Sequence, residues 1–275
     1  RLAGGTRTGH AGTLDPFATG VLPIMIGQAR RVTQYLLGYC KSYRAVLLLG
    51  RETDTLDVTG RTVDNCSWEH VSREKVESAL ARFKGVIDQV PPVYSAVKQS
   101  GRRLYEMARE GQSPVVVSRK VAVYQLELVD FRLPFITIDI TCGKGTYIRS
   151  LARDIGKAVG SCACLSELAR TSYGPFNISC AVSLSAIDSI YELQKHLQPM
   201  DIVLRDIPRV ILKKEEERLV CNGMNTKIEA PCTFSGLLRA YNRKGELVAL
   251  ISSAEGQDMY KPVKVFVDRD KSLTT

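Results

Sequence analysis

The chain has 275 residues, 44% of them apolar and 24% charged, and Lys and Arg outnumber Asp and Glu by nine. That composition is ordinary for a globular protein and excludes collagen, coiled coil and disorder; at about 150 residues per domain it fits one large domain or two unequal ones. No apolar run exceeds that of Ala45–Leu49, far short of the ~18 residues of a membrane helix, so no membrane span is expected.

The first 27 residues contain Gly4, Gly5, Gly9, Gly12, Gly20 and Gly27, a density that reads as loops and tight backbone approaches. Tyr43–Gly50 is a short apolar run ending in glycine, a buried strand. Ser72 is placed to cap a helix in which Val76, Ala79, Leu80 and Phe83 recur at helical spacing, with Gly85 as its stop. Gln89–Tyr94 holds two prolines and forms an extended connector, because a proline disfavours helix in its predecessor. Residues 95–120 are basic and include the β-branched run Val115–Val117. Val121–Phe131 alternates as a strand. Phe135–Cys142 alternates more cleanly, with Ile136, Ile138, Ile140 and Cys142 on one face. Gly143-Lys144-Gly145 turns the chain into a helix striped by Ile148, Leu151, Ile155 and Val159 and stopped by Gly160. A further helix is predicted over 184–196. The junction that follows divides residues 1–207 from residues 208–275. Beyond it come a short charged helix stopped by Asn222-Gly223 and three strands near 234–241, 247–252 and 263–267, the makings of a small barrel. Without a regular βαβ rhythm, the expected fold class is α+β: a mixed, mainly antiparallel sheet with helices, plus a small C-terminal β-barrel.

Charge is unevenly placed. Residues 1–31 carry net +3, residues 94–120 net +4, the rest of 1–207 net −1, and residues 208–275 net +3. Two short basic stretches fit a polyanion partner better than a uniformly solvated basic surface. The eight cysteines include no C-x-x-C pair, and Cys162-Ala163-Cys164 is too tight for zinc. With no secretory signal at the start of the chain, reduced thiols are expected. His10, His70 and His196 are too scattered to make a metal cluster.

Three segments can carry chemistry. In Gly9-His-Ala-Gly-Thr-Leu-Asp15-Pro-Phe-Ala-Thr-Gly20 a carboxylate precedes a proline on a glycine-flanked loop. Such a group suits a nucleophile or base; by spacing alone it also reads as a turn aspartate. Lys144-Gly-Thr-Tyr147-Ile-Arg149 opens a helix, a favoured place for anion contacts or a plain cap. Lys41-Ser-Tyr43-Arg44 sets an aromatic beside two cations, where Tyr43 either stacks on a base or packs in the core.

Taken in order, these segments resemble the TruB family, the tRNA pseudouridine-55 synthases, in its bacterial form. Ala18-Thr-Gly-Val-Leu-Pro23, Gly50–Asp57, Pro91–Lys98 and Gly101–Glu106 support the resemblance, which is strong over about residues 4–205. It implies a catalytic domain over 1–207 on a mainly antiparallel mixed sheet and a PUA-like RNA-binding barrel over 208–275. The catalytic aspartate falls on Asp15. Substrate-binding positions fall on His10, Tyr43, Tyr147, Arg149 and Leu168, with Arg149 pairing the aspartate. Family members usually open with a strand and a Lys-Pro segment that Arg1 onward lacks, so residues are expected to be missing upstream.

The implied activity isomerises uridine to pseudouridine at position 55 in the tRNA T loop by base flipping, with no cofactor and no metal. Asp15 would attack C6 of the uracil or C1′ of the ribose. Tyr43 would stack on the base, and Tyr147 would relay the C5 proton or only pack. His10 would fill the space the flipped base leaves. Segment 94–120, with Lys98, Arg102 and Arg103, would clamp the RNA backbone. The expected setting is a cytoplasmic monomer acting on the T stem-loop, with no membrane partner. The competing reading is a non-catalytic RNA-binding or RNA-folding protein, for which Asp15 has no use.

Overall fold

The structure is a computed structural model, and it describes residues 4–95, 98–99, 101–110, 116–228, 236–253 and 259–266. Contacts divide the chain into two units. One holds Thr8–Met25 with Leu36–Ser189; the other holds the segment up to Arg7, Ile26–Tyr35 and the chain from Ile190 onward.

The first unit is built on a seven-stranded sheet. In chain order its strands are β1 (Thr19–Gly20), β2 (Lys41–Leu49), β5 (Gly85–Gln89), β6 (Arg119–Arg132), β7 (Phe135–Cys142), β8 (Ala163–Tyr173) and β9 (Phe176–Asn177); the hairpin of β3 (Arg51–Thr53) and β4 (Thr62–Asn65) stands apart. Spatial order is β9-β8-β2-β7-β6-β5, every neighbour antiparallel. Only β1 is parallel, beside β8 at Ala169↔Thr19 and Arg170↔Gly20. The sheet is therefore mixed and mainly antiparallel, as expected.

Alternation decides which face is buried. Ala45, Leu47 and Leu49 on β2 and Ile136, Ile138, Ile140 and Cys142 on β7 all point into one core. Helices α1 (Arg73–Arg82) and α2 (Ile148–Ala158) contribute to the same core with Val76, Ala79 and Leu80, and with Ile148, Leu151 and Ile155. Each Val, Leu or Ile among them contributes roughly 1.5–3 kcal/mol by leaving water. The Ser72 hydroxyl accepts from the Lys75 amide at 3.3 Å and caps α1 as its sequence indicates. Gly156 explains how closely α2 lies on the start of β8: a Cβ there would meet the Ala163 nitrogen at 2.5 Å.

Two sequence expectations need correction. The helix expected over 184–196 is a single 3-10 turn, Leu184–Ala186, and a short helix, Ile190–Lys195. Leu184 and Tyr191 are exposed, so little burial holds a longer helix together. The expectation of reduced thiols fails at one pair: Cys66 and Cys162, 96 residues apart, form a disulfide. Cys66 follows β4 and Cys162 precedes β8, and only the fold brings these ends together.

In the second unit, β10 (Arg209–Ile211), β11 (Thr226–Lys227), β12 (Leu237–Tyr241), β13 (Leu247–Ser253) and β14 (Met259–Val265) form a five-stranded sheet in the order β10-β12-β13-β14-β11. With α3 (Lys214–Cys221) they enclose a separate core of Val210, Val220, Leu238, Val248 and Ile251. This sheet fits a small PUA-like domain. The strands β10 and β11 are too short to show as periodicity. Residues just before the sheet are tied to it: Val203 and Leu204 are buried, and Arg239 Nε donates to the Ile207 carbonyl at 2.7 Å.

Candidate active site

Asp15 sits in the loop between His10 and β1. The loop turns tightly after it, the Ala18 amide donating to the Asp15 carbonyl at 2.9 Å. Its far end is pinned where the Val21 amide donates to the Arg170 carbonyl at 2.8 Å. Gly20 makes this approach possible: its φ is +94°, and a Cβ would lie 2.2 Å from that carbonyl oxygen.

Arg149 lies in the first turn of α2 and is almost wholly buried, whereas the Asp15 side chain is 31% exposed. Its Nε and Nη2 donate to Asp15 Oδ2 and Oδ1 at 3.1 and 2.9 Å. This is the bidentate geometry that makes arginine–carboxylate pairs strong and oriented. The remaining donors are also used. Nη1 donates to the Thr55 carbonyl at 2.8 Å, and Nη2 also reaches the Tyr94 carbonyl at 3.0 Å. A second carboxylate, Asp57 Oδ2, stands 3.6 Å from Nη1. Asp57 is buried and accepts in turn from the Thr55 hydroxyl and the Thr59 amide at 2.9 and 3.0 Å. One buried cation thus faces two carboxylates, only one of which opens to solvent.

The start of α2 is fixed from the sheet. The Gln89 amide group at the end of β5 accepts from the Tyr147 N–H at 2.8 Å and donates to the Tyr147 carbonyl at 3.1 Å. This pair of hydrogen bonds to the residue before α2 sets where Arg149 enters. Tyr147 is half-buried there. On the sheet, Tyr43 of β2 and Leu168 of β8 are both buried. Burial pushes the Tyr43 phenol up to about 12, with Arg170 pulling the other way, so the hydroxyl keeps its proton at neutral pH.

The structure brings Asp15 and Arg149 into direct contact, sets Tyr147 two residues before Arg149, and places Tyr43 and Leu168 on adjacent strands. His10 is exposed at the start of the loop. The Arg102 guanidinium is engaged within its own segment, 2.5 Å from Glu110. The side chains of Lys98 and Arg103 lie outside the described residues. Two participants escaped the sequence reading. Asp57 lies within the stretch Gly50–Asp57 that only supports the resemblance, and nothing in the sequence around Arg170 marks it out. Asp64, Cys66 and Cys162 bring three metal-ligating atoms within 4.8 Å of one another, but the two sulfurs are bonded to each other.

Comparison with known proteins shows the family to which the chain is similar. Residues 1–148 match the TruB family pseudouridylate synthase N-terminal domain, and residues 149–205 the tRNA pseudouridylate synthase B C-terminal domain. A protein named tRNA pseudouridine synthase B from Dehalococcoides mccartyi is 36% identical over 97% of this chain and 89% of its own length. One of the same name from Aromatoleum aromaticum is 40% identical over 88% of this chain and 78% of its own. Among solved structures, a chain of a Cbf5–Nop10–Gar1 complex superposes with a TM-score of 0.70 at 28% identity, covering 98% of this chain and 79% of that one. A chain of an H/ACA ribonucleoprotein bound to a substrate RNA containing 2′-deoxyuridine has the same TM-score at 26% identity. The matched segments include Asp15, Tyr43, Tyr147, Arg149 and Leu168, and the chain belongs to the TruB family of pseudouridylate synthases.

Proposed function

We propose that this chain is the enzyme that isomerises uridine to pseudouridine at position 55, in the T loop of tRNA, with Asp15 as its nucleophile. The observation that carries the reading is the Asp15–Arg149 pair: a carboxylate open to solvent on one side and gripped by a buried guanidinium on the other. A protein that only bound or folded RNA would have no use for such a carboxylate.

The chemistry is an internal exchange. The N1–C1′ bond breaks, the uracil rotates, C5 bonds to C1′, and the proton lost from C5 is balanced by one gained at N1. The C5 proton leaves to solvent and N1 takes one back, so there is no net gain or loss of atoms or electrons and the balance calls for no redox partner. Asp15 forms a transient bond at C6 of the base or at C1′ of the sugar, and both routes return it unchanged. Arg149 orients the carboxylate and balances its charge. Tyr43 stacks on the uracil while it turns, Leu168 packs beside it, and Tyr147 accepts or relays the C5 proton.

A uridine in a folded loop reacts only once it is flipped out, at a cost of a few kcal/mol. His10, exposed on the loop that carries Asp15, is suited to occupy the space the base leaves. Lys98, Arg102 and Arg103 in segment 94–120 hold the RNA backbone; for Arg102 this means exchanging Glu110 for a phosphate. Residues 208–275, which hold the second sheet, form the RNA-binding module, and residues 1–207 form the catalytic domain. The protein acts as a monomer in the cytoplasm, where tRNA is matured. Mass spectrometry of a T-loop minihelix after incubation, with cyanoethylation to mark the product, tests the reading. A single marked residue at the target uridine is expected, and unmodified RNA refutes it.

A further inference from the structure

Arg170 is among the largest fully buried side chains of the protein, at 1% exposure. Among the described residues no carboxylate pairs with it. Its guanidinium holds two backbone carbonyls, Nε donating to Val21 at 2.7 Å and Nη2 to Gly12 at 2.9 Å, and it also interacts with the Tyr43 phenol. Those two carbonyls flank the loop that carries Asp15. The backbone of Arg170 holds the same loop, since its carbonyl accepts from the Val21 amide. The guanidinium lies 5.0 Å over the ring of the fully buried Tyr173. In the β2–β8 pairing Arg170 lies directly across from Tyr43, so the two side chains share a face of the sheet.

Burying a cation is expensive, and an apolar replacement of similar volume is often no less stable. A buried charge that holds two carbonyls is therefore weak evidence for stability and stronger evidence for geometry. Only the planar fork of arginine reaches two acceptors in fixed directions; lysine carries the charge without the fork. We infer that Arg170 is a positioning residue for the isomerisation: it clamps both ends of the 12–21 loop to β8 and so sets Asp15 against Arg149 on one side and Tyr43 on the other. This rests on the function proposed above, and it adds a residue that touches neither the reacting atoms nor Asp15 itself.

The test replaces Arg170→Lys in the full chain and reads two independent quantities. Hydrogen exchange of the loop amides, Ala18 and Val21 above all, should be about tenfold faster without RNA present. The kcat on a T-loop stem-loop should fall about 100-fold, the usual cost of an ångström-scale misplacement, while RNA affinity stays near wild type. A residue needed only for folding would lower the melting temperature and the active fraction and leave the kcat of the folded fraction intact. Should Arg170→Lys fail to fold, Gly20→Ala breaks the same anchor from the loop side and should give the same pair of changes. Unchanged loop exchange in the folded variant overturns the inference, as does faster exchange with unchanged kcat. Wild-type protein that forms no pseudouridine would instead overturn the proposed function, and the exchange data would still report whether Arg170 holds the loop.

Discussion

Arg149 grips Asp15 through two of its nitrogens, Nε and Nη2, and the remaining Nη1 donates to the Thr55 carbonyl. The carboxylate is therefore held in one plane and one direction before any substrate arrives. Preorganisation of this kind is the largest single term in many active sites.

Arg149→Lys keeps the charge and loses the fork. Turnover should fall by about 10²-fold, the scale of a displaced reacting group, with RNA binding spared. Steady-state kinetics beside filter binding reads both; turnover within twofold of wild type would show that orientation of Asp15 does not depend on the paired geometry.

Cys142 fixes a pH dependence of stability. Burial pushes its thiol up to about 11 from 9.0, so the folded chain holds that proton more tightly than the unfolded chain does. Its contribution to stability is complete below pH 9 and is lost as the pH rises through 11, on the order of 3 kcal/mol in all. Urea midpoints measured across this range should fall more steeply for wild type than for Cys142→Ala. Parallel curves would mean that the thiol titrates as if exposed.

The Cys66–Cys162 bond closes a long loop around much of the catalytic unit. Constraining the unfolded chain in this way is typically worth 2–4 kcal/mol, so reductant should lower the melting temperature and Cys66→Ser should do the same without reductant. Scanning calorimetry with and without dithiothreitol decides it. Identical transitions in both buffers would show that the two thiols are free in solution, as a reducing compartment favours.

Much of this architecture is legible before folding. The alternation of Ile136, Ile138 and Ile140 names the buried face of β7 correctly, and Ser72 marks the start of α1 because capping is a local interaction. Resemblance, not periodicity, locates Asp15, which by spacing is a turn aspartate. What escapes is non-local. Nothing around Asp57 announces that its carboxylate will meet a guanidinium 92 positions away, nor does Arg170 announce on a strand that it will hold two distant carbonyls. The disulfide is hidden for the same reason, and the over-long helix at 184–196 fails because periodicity predicts a face with nothing to bury it.

Tritium release from tRNA labelled at C5 of its uridines, compared for wild type and Asp15→Ala with RNA binding measured alongside, tests the central claim most directly. Wild type should release tritium, the variant should release none above background, and both should bind RNA. Ordinary release by Asp15→Ala would contradict that claim.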